Sequence, residues 1–428
     1  MTAAAQLLDA IVPIVRTRLP RGVDVGYLDD FLSRNRFALE AVIEQNLGPL
    51  LARMQAANRP LVPDEDIPEL WTVSKRTAAN IAAMATAATL YAQRRVPNAE
   101  ERATLAGYSG WGGLSIQAAV GKFPQGFPVP EERGLIHEFY TPSKVAREVA
   151  RVVAPLVRSL PHDGETVHAL EPSAGIGRFI RAFEAVPGLT WHAVEWSTLS
   201  ALMLKALRPD IDLTNAPFER WVREKGAGAA GRLGLVVSNP PYGIRGASIA
   251  EDPDRAYREK MAYHYFLRRG LDLLAPDGLG VFLVPGGFLT SRTAQFAELR
   301  KKVLLRHHLA AAFRLPSINE KRREAIFPGA MLVTDLLFFR ARGGHLDAID
   351  AADEGIVAGG YFKQFPRHIL GREVGDDHGE DDQTAKPRWG YQVQGEFTGL
   401  PDLIERPVCG DCKVISFPAA RQVADPSA

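Results

Sequence analysis

Apolar and polar positions follow two different rhythms along this chain. Between residues 28 and 51, Leu28, Phe31, Leu32, Leu47, Leu50 and Leu51 recur at three- and four-residue steps, the spacing of one helix face. The alanine-rich stretch 81–91 adds strong helix propensity, so 1–130 reads as a helical N-terminal domain. From 131 onward, short apolar runs end in turn residues and alternate with helical patterns. Strands are expected at 166–170, 190–194, 235–237 and 281–285, followed by a final pair at 308–313 and 331–339. Val145, Val149, Val152, Val153 and Leu156 form a helical stripe, with Thr141 as its N-cap and Pro142 as its first residue. Strands alternating with helices predict an α/β domain over 131–345. Beyond it, glycine, aspartate and proline dominate and an acidic run occupies 376–382, which predicts an irregular C-terminal extension over 346–428.

Composition changes this picture little. A chain of 428 residues exceeds one small core and fits two or three domains. Hydrophobic residues at 46% and charged residues at 24% are those of a soluble globular protein, and no apolar run approaches the roughly 20 residues of a membrane span. The first residues lack the basic region of a signal peptide, so a cytoplasmic enzyme without a membrane partner is expected. A net charge of +1 means that any nucleic-acid surface must be a local patch. Cys409 and Cys412 have no second cysteine pair to complete a zinc site, so they read as free thiols and no metal is expected.

The chemistry concentrates at strand ends. The run 235–237 closes in Ser238-Asn239-Pro240-Pro241-Tyr242-Gly243, a rigid turn that holds its side chains still. A proline-capped strand end alone has this form, so its neighbours decide its meaning. The exocyclic N6 of adenine is a poor nucleophile because its lone pair is delocalised into the ring. Two acceptors, the Asn239 side-chain oxygen and the Pro240 carbonyl, would free that lone pair by binding both amino hydrogens, and Tyr242 would offer a stacking face to an extruded base. The strand at 166–170 runs into Glu171-Pro172-Ser173-Ala174-Gly175-Ile176-Gly177 and then a helix, a nucleotide-cofactor pattern. Phe179 and Ile180 stand where a dinucleotide fingerprint has its third glycine, and no phosphate-cradling lysine follows. What fits is a phosphate-free cofactor whose amino group meets Glu171 and whose path runs tightly over Gly175 and Gly177. Glu195, ending the strand at 190–194, stands where ribose hydroxyls are held.

These motifs, in this order, resemble the gamma class of DNA N6-adenine methyltransferases, in which Phe-Tyr-Thr-Pro precedes Glu-Pro-x-x-Gly-x-Gly and then Asn-Pro-Pro-Tyr. The stretch Thr77-Ala78-Ala79-Asn80-Ile81, Leu90, Arg94-Arg95 and Tyr108-Ser109-Gly110-Trp111-Gly112-Gly113-Leu114 resembles the leader of large phage, plasmid and defence-locus methylase-helicase proteins. The resemblance implies a Rossmann-like S-adenosylmethionine-dependent methyltransferase with a three-layer, seven-stranded sheet, acting on DNA in a restriction-modification, phage-defence or mobile-element system, with other defence or helicase subunits as further partners. It implies that Tyr140, Thr141, Pro142, Glu171, Ser173, Gly175, Gly177, Glu195 and Phe218 hold the cofactor, and that Asn239, Pro240, Pro241 and Tyr242 are catalytic.

The match has departures. Many relatives carry an aspartate just before the aromatic at Phe218, where this chain has Pro217, which leaves stacking by Phe218 as the expected adenine contact. Arg245, with Arg255, Arg258 and Lys260 among aromatics, is the expected phosphate-binding group, and Phe327 the expected second face for the base. Asn-Pro-Pro-Tyr also occurs in methyltransferases of protein glutamine and of an RNA base, and a cofactor- and DNA-binding subunit inactive without partners has the same motifs. The four glycines around Tyr108 and Trp111 imply either a tight inter-domain turn or backbone brought close to another element.

Overall fold

The computed structural model describes residues 71–115, 138–164, 166–375, 390–403, 406 and 414–416. The helical periodicity at 28–51, the 130/131 boundary, the acidic run and both cysteines lie outside the described residues. In chain order come helices α1 (Val73–Gln93), α2 (Ala99–Ala106) and α3 (Ser143–Val153), then β1 (Val167–Glu171), α4 (Arg178–Ala182), β2 (Leu189–Glu195), α5 (Thr198–Leu207), β3 (Asp212–Asn215), α6 (Phe218–Trp221) and β4 (Leu233–Ser238). After these come α7 (Ala262–Leu271), β5 (Leu274–Pro285), α8 (Ala294–Leu304), β6 (His307–Arg314) and β7 (Thr334–Ala341).

Seven strands form one sheet in the order β3-β2-β1-β4-β5-β7-β6. The strands from β3 through β5 are parallel, and β7 is antiparallel to both β5 and β6. The chain winds outward from β1 to β3 and then returns to lay β4 on the other side of β1. That reversal opens a crevice at the carboxyl ends of β1 and β4, where open α/β sheets bind ligands.

Alternation places the core. Leu235 and Val237 face Val145, Val149, Phe179 and Ile180 of α3 and α4, while Val236 between them faces Phe266, Leu267 and Leu271 of α7. Val281 and Leu283 share the first face and Phe282 and Val284 the second, so both sides of the sheet are covered and its central strands read as continuous apolar runs. A third cluster joins Met84, Ala87 and Leu90 of α1 with Leu105, Tyr108, Trp111 and Leu114, and packs them on Leu199, Met203 and Leu207 of α5 and on Ile176 of the glycine turn. The leader therefore rests directly on the cofactor half of the sheet.

Several boundaries differ from the sequence reading. Pro142 is the N-cap of α3, with extended backbone and its carbonyl accepting from Ala146 N–H, so Thr141 lies outside the helix and makes no side-chain cap. The strand expected at 281–285 starts seven residues earlier, at Leu274, with Asp277 taking a φ of 64° within it. Residues beyond 345 are more regular than their composition implies: Ala351–Val357 and Tyr361–Gln364 are helical and the buried Tyr361 and Phe362 join the second core face. Short apolar and aromatic residues spaced for docking outweigh the glycine content there. Among the described residues no helix is long and apolar enough to cross a membrane.

Trp111 is fully buried under the leader. Trp111→Ala should destabilise the protein by about 3–5 kcal/mol, read as a lower melting temperature and urea midpoint; unchanged values would mean that the leader contributes nothing to the packed core.

Candidate active site

Three strand ends converge on the crevice. Glu171 ends β1, Glu195 ends β2, and Ser238 ends β4 ahead of the Asn-Pro-Pro-Tyr turn. The Glu171 side chain is buried, and among the described residues its Oε2 has no hydrogen-bond partner. Burial pushes its carboxyl well above the usual carboxylate range, with the Ile180 backbone N–H pulling it down in part. A buried carboxylate oxygen without a donor is a vacancy for an ammonium or hydroxyl. Glu195 is better served: its Oε2 accepts from Gly175 N–H at 2.6 Å and its Oε1 from Ser197 N–H at 2.6 Å. The Trp196 backbone N–H donates to this carboxylate as well, so three backbone donors fix its orientation at the strand end.

The glycines of the turn are dictated by what lies on them. Gly175 has a φ of 53° and an added Cβ would lie 2.5 Å from the Tyr140 ring; Gly177 has a φ of 75° and its Cβ would lie 2.5 Å from Leu204. Tyr140 is thus a wall of the glycine turn, tied through its hydroxyl to Ser200 of α5 at 2.7 Å. Ser173 bridges the glycine turn to the Asn-Pro-Pro-Tyr turn, its hydroxyl sharing a hydrogen bond with Ser238 and donating to the Asn239 carbonyl at 3.1 Å.

The half-buried Asn239 is oriented from two sides. Its Nδ2 donates to the Phe139 carbonyl at 3.1 Å, and its Oδ1 accepts from the Tyr242 hydroxyl at 2.9 Å. A backbone carbonyl only accepts, so Nδ2 must face Phe139 and Oδ1 is held on the other side with one lone pair left. Pro240 is buried and Pro241 exposed. The Tyr242 hydroxyl is turned inward, within 3.2 Å of the Leu283 carbonyl, and burial raises its pKa. Phe327 and Pro328 line one recess with Glu138, Phe139, Tyr140 and Arg178, which brings the loop after β6 to the Phe-Tyr-Thr-Pro segment.

Two expected contacts are corrected. Arg245 is not a free phosphate-binding group: its side chain is buried, pairs with Glu219 at 2.9 Å, donates to the carbonyls of Tyr257 and Glu259, and lies over the Tyr265 ring. Basic residues near a catalytic turn look alike in sequence, and only the fold shows which one is consumed by a carboxylate. Phe218 does not present an open face: it is 2% exposed, enclosed by Trp221, Tyr265 and Phe266 at ring separations of 5.0 to 5.9 Å. The aromatic that stands open is Trp196, 70% exposed and next to Glu195. Asn215 fixes that corner by donating to the carbonyls of Glu195 and Trp196. The signal missed in the sequence was an aromatic directly after the strand-end acid.

The sheet order and the crevice at its switch point give a Rossmann-like fold of the S-adenosylmethionine-dependent methyltransferase type. Residues 200–317, about a quarter of the chain, match the family model described as Eco57I restriction-modification methylase. No curated protein matches the chain. Similar solved structures include the methyltransferase subunit of a type I restriction-modification system from Streptococcus thermophilus, 18% identical over 58% of this chain and 51% of that one with a TM-score of 0.39. A putative class I S-adenosylmethionine-dependent methyltransferase from Listeria monocytogenes is 17% identical over 67% of this chain and 89% of its own, TM-score 0.40. The M protein of the type I restriction enzyme EcoKI is 14% identical over 71% and 67%, TM-score 0.35. The alignment spans about half the length of the first of these structures.

One more carboxylate lies at the site. Glu138 accepts from the Tyr108 hydroxyl at 2.8 Å. Burial pushes its carboxyl up to about 8 from an ordinary 4.5; hydrogen bonds from Tyr108, the Trp111 backbone and Tyr140 offset part of this, and the charge of Glu195 adds to it. The folded protein therefore keeps a proton that the unfolded chain releases, and this side chain costs stability as pH rises from about 4.5 to about 8, with no further change above. Glu138→Gln should melt higher than the parent at pH 8 and close to it at pH 4.5, in thermal scans without cofactor; a gain independent of pH would mean that Glu138 ionises normally.

Proposed function

We propose that this chain transfers a methyl group from S-adenosylmethionine to N6 of adenine in DNA, as the modification activity of a restriction-modification or phage-defence system. The observation that carries the reading is the orientation of Asn239, whose amide nitrogen is committed to Phe139 and whose oxygen is held at a strand end beside the cofactor residues.

The chain's residues divide between holding the donor and preparing the acceptor. Glu171 supplies its unpaired oxygen to the cofactor's amino group, Glu195 its backbone-oriented carboxylate to the ribose, and Trp196 an open indole face to the adenine ring. The tight passage over Gly175 and Gly177 keeps that path narrow. Bound S-adenosylmethionine supplies a methyl group activated by its sulfonium charge. On the acceptor side, Asn239 Oδ1 and the Pro240 carbonyl take the two amino hydrogens of adenine, which localises the nitrogen lone pair. Tyr242 flanks the extruded base; Phe327, expected as a second face, is 6% exposed and packed in the core, so it offers no open face. Much of the acceleration comes from holding the amine in line with the methyl group.

Two variants separate the roles. Asn239→Ala should abolish N6-methyladenine formation, measured with labelled S-adenosylmethionine on unmethylated DNA followed by nucleoside identification, while calorimetry shows near-parental cofactor affinity. Trp196→Ala should weaken cofactor binding by about 1–3 kcal/mol, the worth of one base–aromatic stack. An affinity loss in Asn239→Ala as large as in Glu171→Ala would undo the division, and a methylated base other than adenine would replace the substrate.

A further inference from the structure

The leader loop touches both halves of the site described above. Asn80 and Arg76 of α1 set its shape: Asn80 donates to the Gly110 carbonyl and accepts from Ser109 N–H, each at 2.8 Å, and Arg76 donates to the Ser109 hydroxyl and the Gly112 carbonyl. Arg178 of α4 ties it down from the methyltransferase side, donating to the Tyr108 carbonyl at 3.0 Å and to the Ser143 hydroxyl at 2.5 Å.

On the donor side, the loop holds Glu138 through the Tyr108 hydroxyl, through the Trp111 backbone, and through Gly112 N–H to the Glu138 carbonyl at 3.1 Å. The fit is close: a Cβ on Gly110 would lie 2.4 Å from the Glu138 carbonyl oxygen, and one on Gly112 would lie 2.7 Å from the Phe139 ring. The next carbonyl, that of Phe139, is the acceptor for the Asn239 amide. On the acceptor side, the loop meets Gly329, two residues after Phe327. Gly113 and Gly329 both have positive φ, and a Cβ on either would lie 2.5–2.6 Å from the other's Cα. The glycine density of the leader is therefore used for contact, at one end with 138–139 and at the other with 328–329.

We propose that the leader loop 107–114 is a positioning element of the transfer site: Tyr108 and Glu138 set the Phe139 carbonyl that orients Asn239, and the Gly113–Gly329 contact sets the distance of the Phe327 loop from it. The inference rests on the methyltransferase reading. It makes the leader part of the site, and it predicts two kinds of defect. Loosening Glu138 lets the Asn239 amide turn, so the chemical step slows while the cofactor residues stay in place. A methyl group at Gly113 displaces the Phe327 loop, so the DNA-dependent step suffers.

The test compares the full chain with Glu138→Ala, Glu138→Gln, Tyr108→Phe and Gly113→Ala. Three quantities are read: S-adenosylmethionine affinity by calorimetry, single-turnover methyl transfer to unmethylated DNA, and hydrogen exchange of peptides covering 138–142 and 326–331. Glu138→Ala should slow transfer by about 10- to 100-fold at saturating DNA with cofactor affinity within about threefold of the parent. Glu138→Gln, which keeps a side-chain oxygen to accept from Tyr108, should recover most of that rate, and exchange at 138–142 should quicken in Glu138→Ala. Gly113→Ala should instead raise the DNA concentration needed and quicken exchange at 326–331. Parental rates in both Glu138→Ala and Tyr108→Phe, or a rate loss that only tracks cofactor affinity, overturn the proposal. If the parent methylates no DNA, the proposed function fails, and exchange still judges the positioning: 138–142 equally protected in Glu138→Ala and in the parent overturns it.

Discussion

A single hydrogen bond, from the Asn239 amide to the Phe139 carbonyl, joins segments 100 residues apart in sequence, and the site depends on it. An asparagine side chain at a strand end is otherwise free to present either its nitrogen or its oxygen, and the wrong choice would offer a donor where the proposed substrate also donates. The carbonyl of Phe139 removes that freedom. It can do so because the parallel crossover from β1 to β4 brings the Asn-Pro-Pro-Tyr turn beside the glycine turn, and because Ser173 and Ser238 close the remaining gap.

The electrostatics of the crevice follow from the same geometry. Glu138, Glu171 and Glu195 are drawn into one region, and burial raises all three above the ordinary carboxylate range. Such a cluster costs stability, since buried carboxyls disfavour their charged form and repel one another. Natural sequences keep unfavourable groups of this kind where a ligand uses them. A ligand carrying an ammonium and a sulfonium would favour the charged forms of Glu171 and Glu195, which ties that cost to the affinity of the crevice for a cation.

The leader changes how the chain divides. Residues 71–115 share a hydrophobic cluster with α5 and the glycine turn, hydrogen bonds with Glu138 and Arg178, and a close backbone contact with 328–329, so within the described residues they belong to the scaffold of the candidate site. Four glycines beside two aromatics announced a close approach. Which surfaces were approached could not be read from spacing, because 23 residues of chain separate Leu114 from Glu138 and more than 200 separate Gly113 from Gly329.

The sequence by itself determined what depends on near neighbours. Continuous apolar runs along 233–238 and 279–284 marked strands buried on both faces, turn residues set where strands stop, and the strand-end positions of Glu171, Glu195 and Asn239 followed directly. Tertiary structure alone decided the fate of side chains whose chemistry is ambiguous until their partners are known. Arg245 is spent on Glu219, Phe218 is enclosed by three rings, Trp196 stands open, and Glu138 is bound by a tyrosine 30 residues before it. An arginine or an aromatic carries the same pattern signal whether it faces solvent, a ligand or the core. Its role is fixed by whichever distant surface the sheet topology presses against it.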